Sequence, residues 1–275
     1  MRKFAKKGAL ALAASQIFPL YSVQAQGAGD LLVAPTRIVL DGARGTEVIL
    51  NNIGAAPATY RISLELRRMR SDGSFEDVEP AAANVIETSA LGMISYAPRR
   101  VTLPPNQPQS IRIGIRAPDT LPDGEYRAHM LFRAIPDAKP AVASDRPKEG
   151  VSIALTPIYG VTIPIIVRMG NLTATAAISD ARIDKGHERD TFSFALARTG
   201  TRSTYGRVRV TKQGVAKPLI DARGIAVYTE LKDRRVIFPV DSELAAALKG
   251  PVTVQYLDDN EAGGGVIAEL QTVIR

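Results

Sequence analysis

The sequence predicts an all-β protein of two consecutive β-sandwich domains, and three observations point to it. Short segments rich in Val, Ile and Thr follow one another with turn residues between them, the pattern expected of a sandwich. The pattern restarts once, after Met169-Gly170-Asn171. The 275 residues are enough for about two domains.

The elements run as follows. Leu31–Leu40 (LLVAPTRIVL), Glu47–Asn51, Ala58–Leu66 and Gln109–Ile115 read as strands. They are separated by Asp41-Gly42, Asn51-Asn52-Ile53-Gly54, Ser71-Asp72-Gly73 and Pro104-Pro105-Asn106. Glu125–Ile135 continues the series after Pro122-Asp123-Gly124. Pro136–Gly150 is polar and proline-rich and reads as a long loop. A long strand follows, through Arg168. Beyond it come Leu172–Ile178, Thr191–Ala197, Arg207–Thr211, Ile225–Tyr228, Arg235–Val240, Val252–Tyr256 and Val266–Thr272. Only Ser242–Leu248 reads as a short helical turn.

Residues 1–25 stand apart. Arg2, Lys3, Lys6 and Lys7 precede the apolar run Gly8–Ala14, and Val23-Gln24-Ala25 offers small residues where a signal peptidase cuts. This is the pattern of a cleavable secretory signal, and the run is too short for the ~20 residues of a membrane span. The expected organisation is therefore a signal at 1–25 and sandwich domains at 26–168 and 172–275, in an exported chain. Without the signal, 31 basic residues face 28 acidic ones, a net of +3, which gives no electrostatic case for nucleic-acid binding. Cysteine is absent, which excludes disulfides and thiolate metal sites.

The long strand raises a question of its own. In GVSIALTPIYGVTIPIIVRMG (150–170) every second residue from Val151 to Val167 is apolar, whereas a typical strand runs only ~5–6 residues. A domain's own core rarely needs so long a stripe. Pro157 lies within it, and proline is confined mostly to edges and bulges.

Motifs for catalysis are missing: no P-loop, no GxGxxG after a strand, no GxSxG and no HExxH. His129, inside a predicted strand, and His187, in the charged turn KGHERD, read as packed or solvated histidines. The composition points to a binding protein with no cofactor.

Four stretches resemble the periplasmic pilus-assembly chaperones of the PapD-like type: Pro35–Gly42, with its Thr-Arg pair; Leu103-Pro104-Pro105-Asn106 with Gln109–Ile113; Leu121–Arg127; and Phe132–Pro136. The resemblance implies two immunoglobulin-like sandwiches arranged in an L. It implies a chaperone that caps pilin-like subunits by strand donation in the periplasm and delivers them to an outer-membrane usher. It makes Ile153, Leu155, Pro157 and Tyr159 the donor residues, which would fill pockets of an incomplete subunit while the backbone adds to its sheet. It makes Arg37, beside Thr36, the anchor of the subunit's C-terminal carboxylate, for which a guanidinium fork is suited. It makes Glu125 and Arg168 members of an interdomain ion-pair network, whose third member the sequence does not identify. One position departs from the family: Pro164 stands where an anchoring lysine is expected, leaving hydroxyls such as Thr36 and Thr162 to assist. Self-association through the exposed donor strand is a further expectation. The competing reading is an exported structural subunit or adhesin; a catalytic role has no residues to carry it.

Overall fold

Pro35 breaks the first predicted strand in two. Proline offers no N–H to a ladder, and Leu31–Leu40 is β1 (Leu31–Ala34) and β2 (Ile38–Asp41), with Pro35-Thr36-Arg37 between them. The computed structural model describes residues 30–41, 45–136, 157–259 and 264–275. The predicted signal at 1–25 and the loop from 137 onward lie outside the described residues.

The first unit continues with β3 (Thr46–Asn52), β4 (Ala58–Met69), β5 (Phe75–Val78), β6 (Ile94–Ala97), β7 (Arg100–Leu103), β8 (Gln109–Ile115), β9 (Gly124–Ile135) and β10 (Gly160–Met169). One sheet has the order β1-β3-β8-β6; the other runs β2-β10-β9-β4-β5, with β7 also on β4. The break at Pro35 lets the chain change sheets, so that β1 pairs antiparallel with β3 while β2 runs parallel to β10. Alternate residues meet between the sheets: Val48, Leu50, Tyr60, Ile62, Ile111, Phe132 and Ile163 form the core. Tyr126 Oη donates to the Pro122 carbonyl four residues back at 2.7 Å, the tyrosine-corner device of immunoglobulin-like sandwiches.

The expectation of a single helix is corrected. Besides α2 (Ser242–Leu248), the chain forms α1 (Val85–Met93). Its start is a capping box: Asn84 Oδ1 accepts from Glu87 N at 2.9 Å, and the Glu87 carboxylate accepts from Asn84 N at 2.8 Å. This satisfies two otherwise orphaned amides, and the spacing was legible in Asn84-x-x-Glu87. Arg68 holds the same carboxylate at 2.7 Å, tying the helix to β4.

The second unit has a three-stranded sheet, β11 (Ala174–Asp184), β12 (Asp190–Gly200) and β15 (Asp233–Val240). It faces a four-stranded one ordered β14 (Ile220–Val227), β13 (Thr204–Thr211), β16 (Gly250–Asp258), β17 (Val266–Ile274). Phe192, Phe194, Leu196, Val210, Val254 and Tyr256 fill its own core. Met69 and Ile166 of the first unit meet Ala226 and Tyr228 of the second in a separate small cluster at the joint. Between the units, Gly170 takes a φ of +77°, and a Cβ there would fall 2.0 Å from the Asp123 carboxylate, so only glycine fits this turn.

Candidate binding cleft and strand edge

Three strands of the first unit align side chains at the mouth of a cleft. Pro164 of β10 lies opposite His129 of β9, and His129 opposite Glu65 of β4. Residues directly opposite share a face of the sheet. Ile165 pairs with Ile38, so Arg37 lies immediately before the paired part of β2, as Pro164 does on β10. Thr36, Arg37, His129, Thr162 and Pro164 form one wall of a cleft of about 250 Å³, and Tyr205 and Tyr228 of the second unit form the other.

Among the described residues, Arg37 is the charged group of this cleft without a counterion. Its Nε and Nη2 are buried and have no hydrogen-bond partner among the described residues. The guanidinium carbon lies 4.3 Å from the Tyr205 ring centroid, a cation–π contact that satisfies charge but not the N–H donors. Burial pulls its pKa below the ordinary arginine value, and an arginine stays charged in any case. Neighbouring cations are compensated. Arg67 has Glu65 at 2.8 Å and Asp77 at 3.0 Å, Arg127 has Glu230 at 2.6 Å, and Arg168 has Glu125 at 3.0 Å. Two unsatisfied donors of a planar fork, held in a cleft beside hydroxyls, suit a carboxylate.

Beside Arg37 runs an open strand edge. β2 pairs with β10 only from Ile165 to Arg168, while β9 pairs with all of it from Gly160. The Tyr159 carbonyl accepts from Ala134 N at 2.9 Å, so by alternation Gly160, Thr162 and Pro164 direct their backbone groups away from β9. Among the described residues no strand takes up that side of Gly160 or Thr162. Pro164 therefore costs no ladder bond with β9, which explains a proline in the middle of a strand. The apolar stripe changes character along this strand. Val167 and Ile165 are fully buried and Ile163 is 2% exposed, but Tyr159 is 50% exposed, and Pro157 is exposed too. Ile153 and Leu155 lie outside the described residues. Ile166, on the other parity, is also fully buried, because the second unit covers that face.

Glu125 and Arg168 come together at the joint. The Glu125 side chain has no exposure, and its Oε2 accepts from Arg168 Nε at 3.0 Å, Ser203 N at 3.1 Å and Ser203 Oγ at 2.9 Å. The partner from the second unit is thus a serine with its backbone amide, not a charge, which is why a search for an ionisable residue does not find it. A second bridge was not legible. Glu230 accepts from Met69 N at 2.8 Å and from both Arg127 Nη atoms, and Arg127 stacks 3.7 Å from the Tyr228 ring centroid. Breaking a buried pair strands the partner's charge, at a cost of ~3–5 kcal/mol. Glu125→Ala should accordingly lose about 3 kcal/mol of stability by urea unfolding. Ser203→Ala, which removes one neutral donor, should lose about 1 kcal/mol.

His129 is 4% exposed, stacks edge-on against Phe75 at 5.4 Å, and has no partner for Nδ1 among the described residues. Burial, with Arg127 and Arg67 nearby, pushes its pKa down to about 3. The folded pKa lies below the ordinary value of ~6.5, so protonation favours the unfolded chain. The contribution is complete above pH 6.5 and is lost as pH falls toward 3. The loss should approach about 1.4 kcal/mol per pH unit once pH is well below 6.5. Urea titrations from pH 7 to 5, above the range where most carboxylates titrate, should show it in the wild type and not in His129→Leu.

Among the described residues no group of three or more His, Asp or Glu side chains could hold a metal ion. No family model and no curated protein matches the chain. Several solved structures align with it. The YadV chaperone does so with 14% identity and a TM-score of 0.47, over 89% of this chain and 99% of that one. The CsuC–CsuE chaperone–tip adhesion subunit complex of Acinetobacter baumannii archaic Csu pili gives 13%, 0.44, 89% and 97%. The class 5 fimbriae chaperone CfaA gives 13%, 0.44, 89% and 99%. The chain is similar to these chaperones along almost their full length.

Proposed function

We propose that this protein is an exported chaperone that holds an incomplete, pilin-like subunit by two contacts. Arg37 takes the subunit's terminal carboxylate, and the free side of β10, continuing through Tyr159 and Pro157 toward Leu155 and Ile153, adds a strand to the subunit's sheet. Delivery to an outer-membrane usher would follow. The observation that carries this reading is the buried, counterion-free guanidinium of Arg37 standing beside an unpaired strand edge. A carboxylate satisfies the first and an extended backbone the second, and a polypeptide C-terminus brings both. The Glu125–Arg168–Ser203 contact and the Arg127–Glu230 bridge would hold the second unit so that Tyr205 and Tyr228 close the cleft. An exported structural subunit would have no use for an unsatisfied arginine at an internal cleft.

Cross-linking in periplasm, affinity purification and mass spectrometry test the reading. The expected product is a mature chain beginning near Gln26, cross-linked through residues 157–164 to a small exported β-domain. A chain that retains Met1 in the soluble fraction, or that is recovered in fibres as a permanent component, would defeat it.

A further inference from the structure

We propose that His129 is the second recognition group of the Arg37 cleft, and that the pair reads a singly charged carboxylate in preference to a doubly charged phosphate. The inference rests on the carboxylate reading above and specifies which residues make the contact and what charge they accept. Three observations lead to it. First, register puts His129 directly across from Pro164, on the same face as Arg37 and with only the β10 strand between them. Pro164 itself can offer neither an N–H nor a polar side chain, so the imidazole is the polar group next along that row. Second, the ring is 4% exposed and lines the cleft, yet its Nδ1 has no partner among the described residues. A buried polar atom without a partner is uncommon and costs the fold stability unless something else satisfies it. Glu65, opposite on β4, is engaged with Arg67 and Thr162 instead.

The third observation is the charge balance around the ring. Arg67 and Arg127 face it from the same sheet, Glu65 from β4, and Phe75, Tyr205 and Tyr228 from the surrounding elements of the cleft. Arg67 is paired with Glu65 beside the ring and with Asp77, whose side chain is 77% exposed and solvated, and Arg127 is paired with Glu230. Inside the cleft, among the described residues, the cation without a counterion is Arg37. A monoanion neutralises it; a dianion would leave a negative charge in excess in a cleft walled by aromatic rings. A neutral imidazole adds a hydrogen bond without adding charge, and the tyrosines and Pro164 provide an apolar bed for the side chain of a terminal residue.

The chain has two histidines, so imidazole nitrogen NMR on the mature protein, with His187→Asn for assignment, reads His129 alone. The probes are N-acetylphenylalanine, its carboxamide, and inorganic phosphate. N-acetylphenylalanine is expected to move the His129 resonances, with a midpoint that Arg37→Ala abolishes and His129→Leu raises roughly tenfold, the effect of one hydrogen bond to a charged group. The carboxamide and phosphate should bind at least as weakly as the acid does to His129→Leu. If the acid binds through Arg37 while the His129 resonances stay still, His129 is not a contact, although the carboxylate site stands. Tighter binding of phosphate overturns the charge assignment. Absence of any Arg37-dependent binding of the acid overturns the carboxylate reading and this inference together. The wild-type spectrum alone decides the contact even if a His129 variant fails to fold.

Discussion

Ile163→Glu should unfold the first unit, while Leu155→Glu should leave it folded and unable to bind a client. The two positions lie on the same parity of one apolar stripe, eight residues apart. Ile163 is 2% exposed and packs in the core among Phe132, Met130 and Tyr60. A carboxylate there has no counterion, and the effective penalty for burying an ion is several kcal/mol even after relaxation. Added to the loss of the buried apolar side chain, that is comparable to the ~5–15 kcal/mol that stabilises a domain. Toward its N-terminal end the stripe leaves the core, since Tyr159 is 50% exposed. If the donor reading holds, Leu155 meets an apolar pocket only when a client is present. A carboxylate at 155 then costs nothing in the free protein and cannot be desolvated in the complex. Thermal melting and client pull-down on the two variants side by side are decisive: equal loss of Tm would mean that the stripe is core throughout.

Arg37→Ala is the second large effect, and it separates binding from stability. Two small terms compete in the free protein. Losing the stack on Tyr205, at 4.3 Å, costs about 1 kcal/mol. Removing two buried N–H donors that have no partner returns about 1–3 kcal/mol. Tm should therefore be unchanged or slightly raised. In the complex the balance reverses, because a client carboxylate would be left desolvated and unpaired, at ~2–5 kcal/mol or ~30- to several-thousand-fold in affinity. A variant that melts lower and still co-purifies with client would mean that Arg37 is a structural residue.

The sequence was most informative where one face of a strand is buried and the other wet. Gln109–Ile115 was legible to the residue because Ile111 and Ile113 alternate with Ser110 and Arg112. The segments between Phe75 and Leu103 were not, since β5, β6 and β7 are four residues each, too short to establish a period. The break at Pro35 was readable in principle from the proline, but the apolar residues on either side masked it. The joint resisted for a different reason: Arg127 meets Glu230 and Glu125 meets Ser203 across separations of 103 and 78 residues, and nothing local marks such partners. One trace was present, the run Ile165-Ile166-Val167, apolar on both parities, which signals burial on both faces. His129 read as a packed or solvated histidine, and it is packed; its unpartnered nitrogen in a shared cleft is visible only in three dimensions.

The ten residues of β10 answer to different neighbours within a single turn of alternation. Ile163, Ile165 and Val167 belong to the sandwich interior, Ile166 to the contact with Tyr228 and Met69, Arg168 to Glu125, and Gly160 and Thr162 to an edge that no strand of the described residues covers. A Cβ at Gly160 would come within 2.9 Å of the Leu131 side-chain tip, which can swing aside, so this edge position is more tolerant than the interior ones. From Ile163 onward such a strand has almost no mutational latitude. Under the proposed chaperone reading, any drift that tunes the edge to a new client must leave the interior and the joint untouched, so adaptation is channelled to the flanks, the segment before Gly160 and the aromatic wall supplied by Tyr205 and Tyr228.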